Sequence, residues 1–234
     1  MNFAALTPEL WTALWLTLRL AATSTLILLA LALPLAGWLN RSRSPAAGLV
    51  EALATLPIVL PPTVIGFYLL LLLGAHSPVG RGWMELTGQS LAFSFPGLVI
   101  GSVIYSLPYA LQPIQSALRD VDPGLIESAS ALGARARQVF RRIMVPAARN
   151  GILTGAALSF AHTVGEFGVV LMLGGNIPGV TRVASIALYD ESQQLNYAVA
   201  NSYALLLLLF SLAMLLLIAW LRRRGPQKER PLPR

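Results

Sequence analysis

Five apolar runs, at about residues 11–39, 52–73, 94–117, 150–173 and 198–221, decide most of what this chain can become. A helix of about 20 residues crosses about 30 Å of hydrocarbon, and each run reaches that length. Hydrophobic residues fill 56% of the 234 positions and charged residues only 12%. A soluble domain of this size has no means of covering so much apolar surface. The expectation is an all-α polytopic membrane protein with about five transmembrane helices over residues 1–221. The first run lacks a basic n-region, and its apolar stretch is too long for a signal-peptide core, so it reads as a retained helix.

The basic residues sort the connections. Segments 40–51, 118–149 and 222–234 hold fourteen of the 17 Lys and Arg, whereas the alternate connections hold only Arg81 and Arg182. Arg19 lies inside the first run, near enough to its end to snorkel or pair. Positive charge gathers on the cytoplasmic side of membrane proteins. That places segment 118–149 and the C-terminus in the cytoplasm and the N-terminus outside. The Pro- and charge-rich tail 222–234 reads as disordered. Net charge is +7, but it is scattered between apolar runs and makes no stripe for nucleic acid.

Several chemistries are excluded. There is no cysteine and a single lysine, Lys228; the two histidines, His76 and His162, are far apart. Thiolate chemistry and Cys-ligated metals are therefore out. No GxxxxGK[ST] loop is present, so the chain has no nucleotide-phosphate cradle of its own. No cluster of nucleophiles and acids suggests an enzyme. The runs offer Glu166 as their only acid, too little for an ion-driven secondary carrier, the rival of a different class.

The stretch ESASALGARARQVFRRIMVP, residues 127–146, is charged and helix-like between two apolar runs. Asp122-Pro123 reads as an N-cap followed by proline at the first helical position. Leu125, Ala129 and Leu132 recur at i, i+4 and i+7 on one face. Glu127 is expected in the first turn, where its charge suits the helix dipole. Gly133 fits a left-handed helix end. A second basic helical stretch follows, and Pro146 is expected to break or kink it. A helix–corner–helix with small residues at 128–131 and 133–134 suits docking in another protein's groove better than lipid contact.

The spacing Glu127-Ser128-Ala129, three residues, Gly133, nine residues, Ile143, one residue, Val145-Pro146 resembles the EAA motif of ABC importer permeases. That motif reads EAA, three residues, G, nine residues, I, one residue, LP; Ser128 and Val145 are the departures. The resemblance implies a coupling helix that docks on a separate ATPase subunit. Glu127, Ser128, Ala129, Leu132, Gly133, Ala134, Ile143 and Pro146 would form that surface. Three further stretches, LPIVLPPTVIGFYLLLLLG (56–74), SLPYALQPIQSAL (106–118) and VGEFGVVLMLGGNIPGVTRVASIALYD (164–190), are similar to molybdate/tungstate importer permeases, with sulfate/thiosulfate permeases related. The resemblance covers about residues 10–221 and implies a type I ABC importer fold in the bacterial inner membrane. It also implies a second copy of the chain and an extracytoplasmic oxyanion-binding protein, besides the surrounding membrane lipid. No cofactor would be bound by this chain, with ATP and Mg held on the partner ATPase. Closure of the ATPases would drag residues 123–142 and turn the cavity from inward- to outward-facing.

A bare dianion does not cross hydrocarbon, so a polar path is needed. Candidates are Pro61, Pro62, Thr63, Ser102, Ser106, Thr163 and Gly165; for each, interhelical hydrogen bonding is the competing role. Pro61-Pro62 removes two backbone donors and predicts a kink, either beside the path or for packing alone. His162 reads as a hydrogen-bonding residue, and Glu166 as a group fixing a bend at 165–168. Of the outer connections, 74–93 carries Trp83 as an interfacial anchor. Residues 174–197 carry a short amphipathic stretch (Val183, Ile186, Ala187) that lies on the surface, plugs a cavity mouth or merely links.

Overall fold

A computed structural model describes residues 8–42 and 44–223, and every regular element among them is helical. In chain order these are α1 (Pro8–Arg41), α2 (Pro45–Thr55), α3 (Pro62–Leu73), α4 (Pro78–Thr87), α5 (Phe95–Arg119) and α6 (Pro123–Ala131). Then come α7 (Ala136–Val139), α8 (Val145–Ala147), α9 (Arg149–Gly165), α10 (Gly168–Gly174), α11 (Ala184–Gln193) and α12 (Tyr197–Arg223). A 3₁₀ turn occupies Leu56–Ile58 and a π turn Phe140–Met144. Ser44, Ser77, Ser94 and Asp122 cap α2, α4, α5 and α6, each accepting from a first-turn N–H, with proline at the first or second helical position. The expected disorder of the tail falls largely outside the described residues; α12 continues through Arg223.

Helices α1, α5 and α12 are each long and apolar enough to cross a membrane. The second and fourth runs are not single helices. The α2 segment with its 3₁₀ turn meets α3 at 113°, and α9 meets α10 at 60°. The kink expected at Pro61-Pro62 is thus a sharp turn. Neither proline has an N–H to give, and both Val64 and Ile65 donate back to the Pro61 carbonyl, at 3.0 and 3.3 Å, so the helix restarts there. At the other break Glu166 is extended (φ −68°, ψ 136°) between Gly165 and Phe167.

The centre of the bundle is α1, α5 and α9. Helices α1 and α5 run the same way. The Arg19 guanidinium lies 4.5 Å over the Phe95 ring near one end, and Arg119 Nε donates to Asn40 Oδ1 at 2.8 Å near the other. Arg19 stays exposed, as a snorkelling residue would. Helix α9 returns antiparallel and close: a Cβ at Gly151 would stand 2.2 Å from Ala117 Cβ, and one at Gly155 2.8 Å from the Ala110 carbonyl. Small residues at helix crossings supply van der Waals contact where lipid offers no hydrophobic drive. Leu28, Leu111, Ile114 and Leu118 seal the half of this core nearer Arg41.

The stretch 174–197 is neither a linker nor a surface helix. Val183, Ala184, Ile186 and Ala187 are buried, with α11 wedged against α1 and α12. Thr17 Oγ1 donates to the Ala13 carbonyl and accepts from Ala184 N at 2.8 Å, so α1 caps α11 in trans. Thr181 Oγ1 donates to the Gly174 carbonyl at 2.6 Å and accepts from Ile177 N. Irregular backbone at this depth is tolerated when its polar groups are satisfied by protein. Trp83 packs against the Leu69, Leu73 and Leu91 cluster as well as marking that end of the bundle.

Candidate functional site

Two regions bring the candidate residues together. The first is the charged elbow. Asp122 Oδ1 accepts from Gly124 N at 2.9 Å and starts α6, of which no residue is buried. Glu127, expected in the first turn, is the fifth residue of a helix that begins at Pro123 and so opens the second turn. Gly133 has φ +82°, its N–H reaches the Ser130 carbonyl, and Ala134 N reaches Ala129 O, both at 3.0 Å. That paired closure is a Schellman end, which needs a residue without a Cβ penalty. Leu132, just before it, is 89% exposed.

Beyond the corner the chain is anchored. The Phe140 ring lies on Gly37 of α1, where a Cβ would meet its Cε2 at 2.6 Å. Arg41 stacks 5.6 Å over the same ring and donates to the Ala136 carbonyl at 3.2 Å. The expected break at Pro146 is not there. Pro146 sits inside α8, directly after the π turn in which Val145 N donates to Phe140 O, and the helical run is interrupted only at Ala148 (φ −83°, ψ 6°). The wider turn shifts the donor pattern, so the N–H that proline lacks is not missed. Glu127, Ser128, Ala129, Leu132, Gly133 and Ala134 therefore lie on the free half of the elbow, and Ile143 and Pro146 on the anchored half, all at least partly exposed.

The second region is where the two broken runs meet. Gly168 packs on Pro62 so closely that a Cβ would lie 2.6 Å from Pro62 Cβ. Against this junction opens a cavity of about 490 Å³ lined by Pro62, Thr63, Tyr105, Ala161, His162, Gly165, Glu166, Phe167 and Gly168. Of the path candidates, Pro62, Thr63 and Gly165 are on its wall, and Pro61 is exposed just before it. Ser102, Ser106 and Thr163 are buried behind the wall. Ser106 Oγ lies 2.9 Å from His162 Nδ1 and 3.1 Å from Thr163 Oγ1, which joins α5 to α9. The His162 ring stacks on Tyr109, with centroids 3.8 Å apart, and tilts against Tyr105.

Glu166 is 4% exposed, and neither carboxyl oxygen has a hydrogen-bond partner among the described residues. Ser102 lies near it, but makes no hydrogen bond to it and is itself unpartnered. The bend at 165–168 is instead tied through the Glu166 carbonyl, which accepts from Ser185 Oγ of α11. Tyr105, Phe167 and Gly168 were not among the sequence candidates. His162, Gly165 and Glu166 share the i, i+3, i+4 spacing that would have grouped them on one helix face. No three His, Asp or Glu side chains among the described residues converge to hold a metal ion.

A helical bundle with two runs broken against each other around a polar cavity, and an exposed elbow at one end, is the architecture of a membrane permease. The chain matches, over residues 27–225, the family described as binding-protein-dependent transport system inner membrane component, and it belongs to that family. It is 46% identical over 211 residues to the molybdenum transport system permease protein ModB of Azotobacter vinelandii, covering 90% of this chain and 93% of that one. It is 30% identical over 218 residues to a probable sulfate transport system permease protein of Nephroselmis olivacea, covering 93% and 76%. The fold is similar to a chain of a bacterial ABC transporter for the acidic polysaccharide alginate, with a TM-score of 0.77 at 19% identity, covering 97% and 85%.

Proposed function

We propose that this chain is the membrane-spanning half of an ATP-driven molybdate importer, working as a pair with a second copy of itself. The elbow at 123–147 is the surface on which a separate ATPase subunit docks. The observation that supports this most directly is the free half of the elbow. Leu132 stands out as an apolar knob beside the left-handed corner at Gly133, on a helix with no buried residue. Ile126 and Ala129 lean on the core, but the rest of the helix is uncovered and is stabilised when a partner's groove covers it. The anchored half carries the motion inward, since Phe140 is seated on Gly37 and Arg41. The charge distribution supports a cytoplasmic elbow, with the α3–α4 and α10–α11 connections outside, where an oxyanion-binding protein would deliver its cargo.

Sulfate is the second reading, and the Nephroselmis relative supports it. The test is a proteoliposome carrying this chain, its ATPase and its binding protein, with ATP hydrolysis and uptake measured under molybdate, tungstate and sulfate. Molybdate-stimulated hydrolysis with accumulation is the expected result. Stimulation by sulfate alone would reassign the cargo. Uptake without ATP, driven by an ion gradient, would overturn the mechanism.

A further inference from the structure

We infer that His162 presents a fixed, uncharged N–H to the cavity at the two breaks, and that this N–H is a hydrogen-bond donor to the oxyanion in transit. The inference rests on the importer reading above. Its starting point is a proton count. Ser106 Oγ contacts two groups, His162 Nδ1 at 2.9 Å and Thr163 Oγ1 at 3.1 Å, and has one proton to give. Suppose first that Nδ1 carries the ring hydrogen. It then donates to Ser106, Ser106 donates to Thr163, and the buried Thr163 hydroxyl proton has nowhere to go. Thr163 is 2% exposed and has no partner but Ser106. Thr17, Thr154 and Ser159 each return to a carbonyl one turn back, and Ser24, Thr25 and Ser102 make no bond; Thr163 does neither, but meets Ser106. A buried donor left unmade disfavours that arrangement by about tenfold or more. In the opposite direction every proton is used: Thr163 donates to Ser106, Ser106 donates to Nδ1, and the ring hydrogen sits on Nε2.

The ring is then held in plane by the stack on Tyr109 and the tilted contact with Tyr105. Its Nε2 has no protein partner and is not sealed from the cavity that His162 lines. The Tyr105 and Thr63 hydroxyls line the same cavity and also lack protein partners. No Arg or Lys is on the wall, and the Glu166 carboxyl oxygens are closed off from it. Donors without a full countercharge suit a transit site, where an ion must bind well enough to enter and weakly enough to leave. An N–H that only donates favours a fully deprotonated oxyanion over one such as hydrogen phosphate, whose own proton needs an acceptor.

The chain has only two histidines, so the His76→Gln protein carries a single imidazole reporter. In the assembled transporter with ¹⁵N-labelled histidine, the ring nitrogens are expected to show the Nε2–H tautomer and to shift on addition of molybdate. Ser106→Ala and Thr163→Val each loosen the tautomer preference. His162→Phe keeps the ring stack but removes the donor, and lowers molybdate uptake per ATP hydrolysed by about tenfold, as loss of a hydrogen bond to a charged group implies. His162→Gln, which keeps an N–H donor, restores a substantial part. An Nδ1–H tautomer, a ring unmoved by molybdate, or wild-type uptake in His162→Phe overturns the inference. If the wild-type complex hydrolyses ATP yet accumulates no oxyanion of any kind, the importer reading has failed instead.

Discussion

The elbow and the junction of the two breaks are built on opposite principles. The elbow gets its shape from its own few residues: an aspartate cap, a Schellman end and a glycine at positive φ. It leaves its free half uncovered. The junction gets its shape from segments far apart in sequence. Gly168 fits Pro62, Ser106 meets His162 across 56 positions, and Ser185 ties down the Glu166 carbonyl. The difference is instructive. The elbow, the docking surface of the proposed function, is specified locally and stays accessible, whereas the cavity is specified by packing between distant segments.

Substitutions can break this contrast or sharpen it. The largest effect is expected from Gly133→Val, because a β-branched residue at φ +82° costs about 1–3 kcal/mol and opens the corner. Co-purification of the ATPase should fall by at least about tenfold, with helix content by circular dichroism unchanged. Full ATPase retention would show that the corner is not what the partner reads. Leu132→Glu comes next. It places a charge on an apolar knob that is 89% exposed, so the isolated chain keeps its stability while ATPase affinity drops by about tenfold, measurable by titration in detergent.

Gly168→Val should behave in the reverse manner. Crowding against Pro62 costs about 1–3 kcal/mol, lowers the melting temperature and slows uptake several-fold, yet leaves ATPase binding intact. If it also released the ATPase, the two regions would not be separable. The smallest effect is expected from Glu51→Gln. Gln115 Nε2 keeps an acceptor there, and the Arg119 contact at 3.5 Å is half-exposed, so stability should change by less than about 1 kcal/mol in a thermal melt.

The same contrast explains what was legible in the amino-acid sequence. The Asp122-Pro123 start and the left-handed Gly133 follow from near-neighbour chemistry, and both are present as read. The long apolar runs were visible because length and composition suffice, and so were the places of their bends, at Pro61-Pro62 and 165–168, but not the angles. Pro61-Pro62 signals a break without saying whether it is a kink or a 113° turn, since that depends on what α3 packs against. Ser106 and Thr163 were path candidates as polar residues, and the fold puts them behind the wall, where Thr163 meets Ser106 and Ser106 meets the ring of His162. Pro146 was read as a breaker because the π turn ahead of it leaves no mark in residue type.

The parallel course of α1 and α5 has a consequence for counting. Two neighbours that point the same way, joined by residues 42–94, require that connecting chain to travel back from one face to the other. The sharply folded α2–α3 pair is thus a full return journey, even though no straight rod makes it. By the same parity the antiparallel α9 leads through α10 back toward the face where α1 begins, and α12 sets off from there beside Leu10 and Ala13. The start of α1 and the end of α12 consequently lie at opposite ends of the molecule.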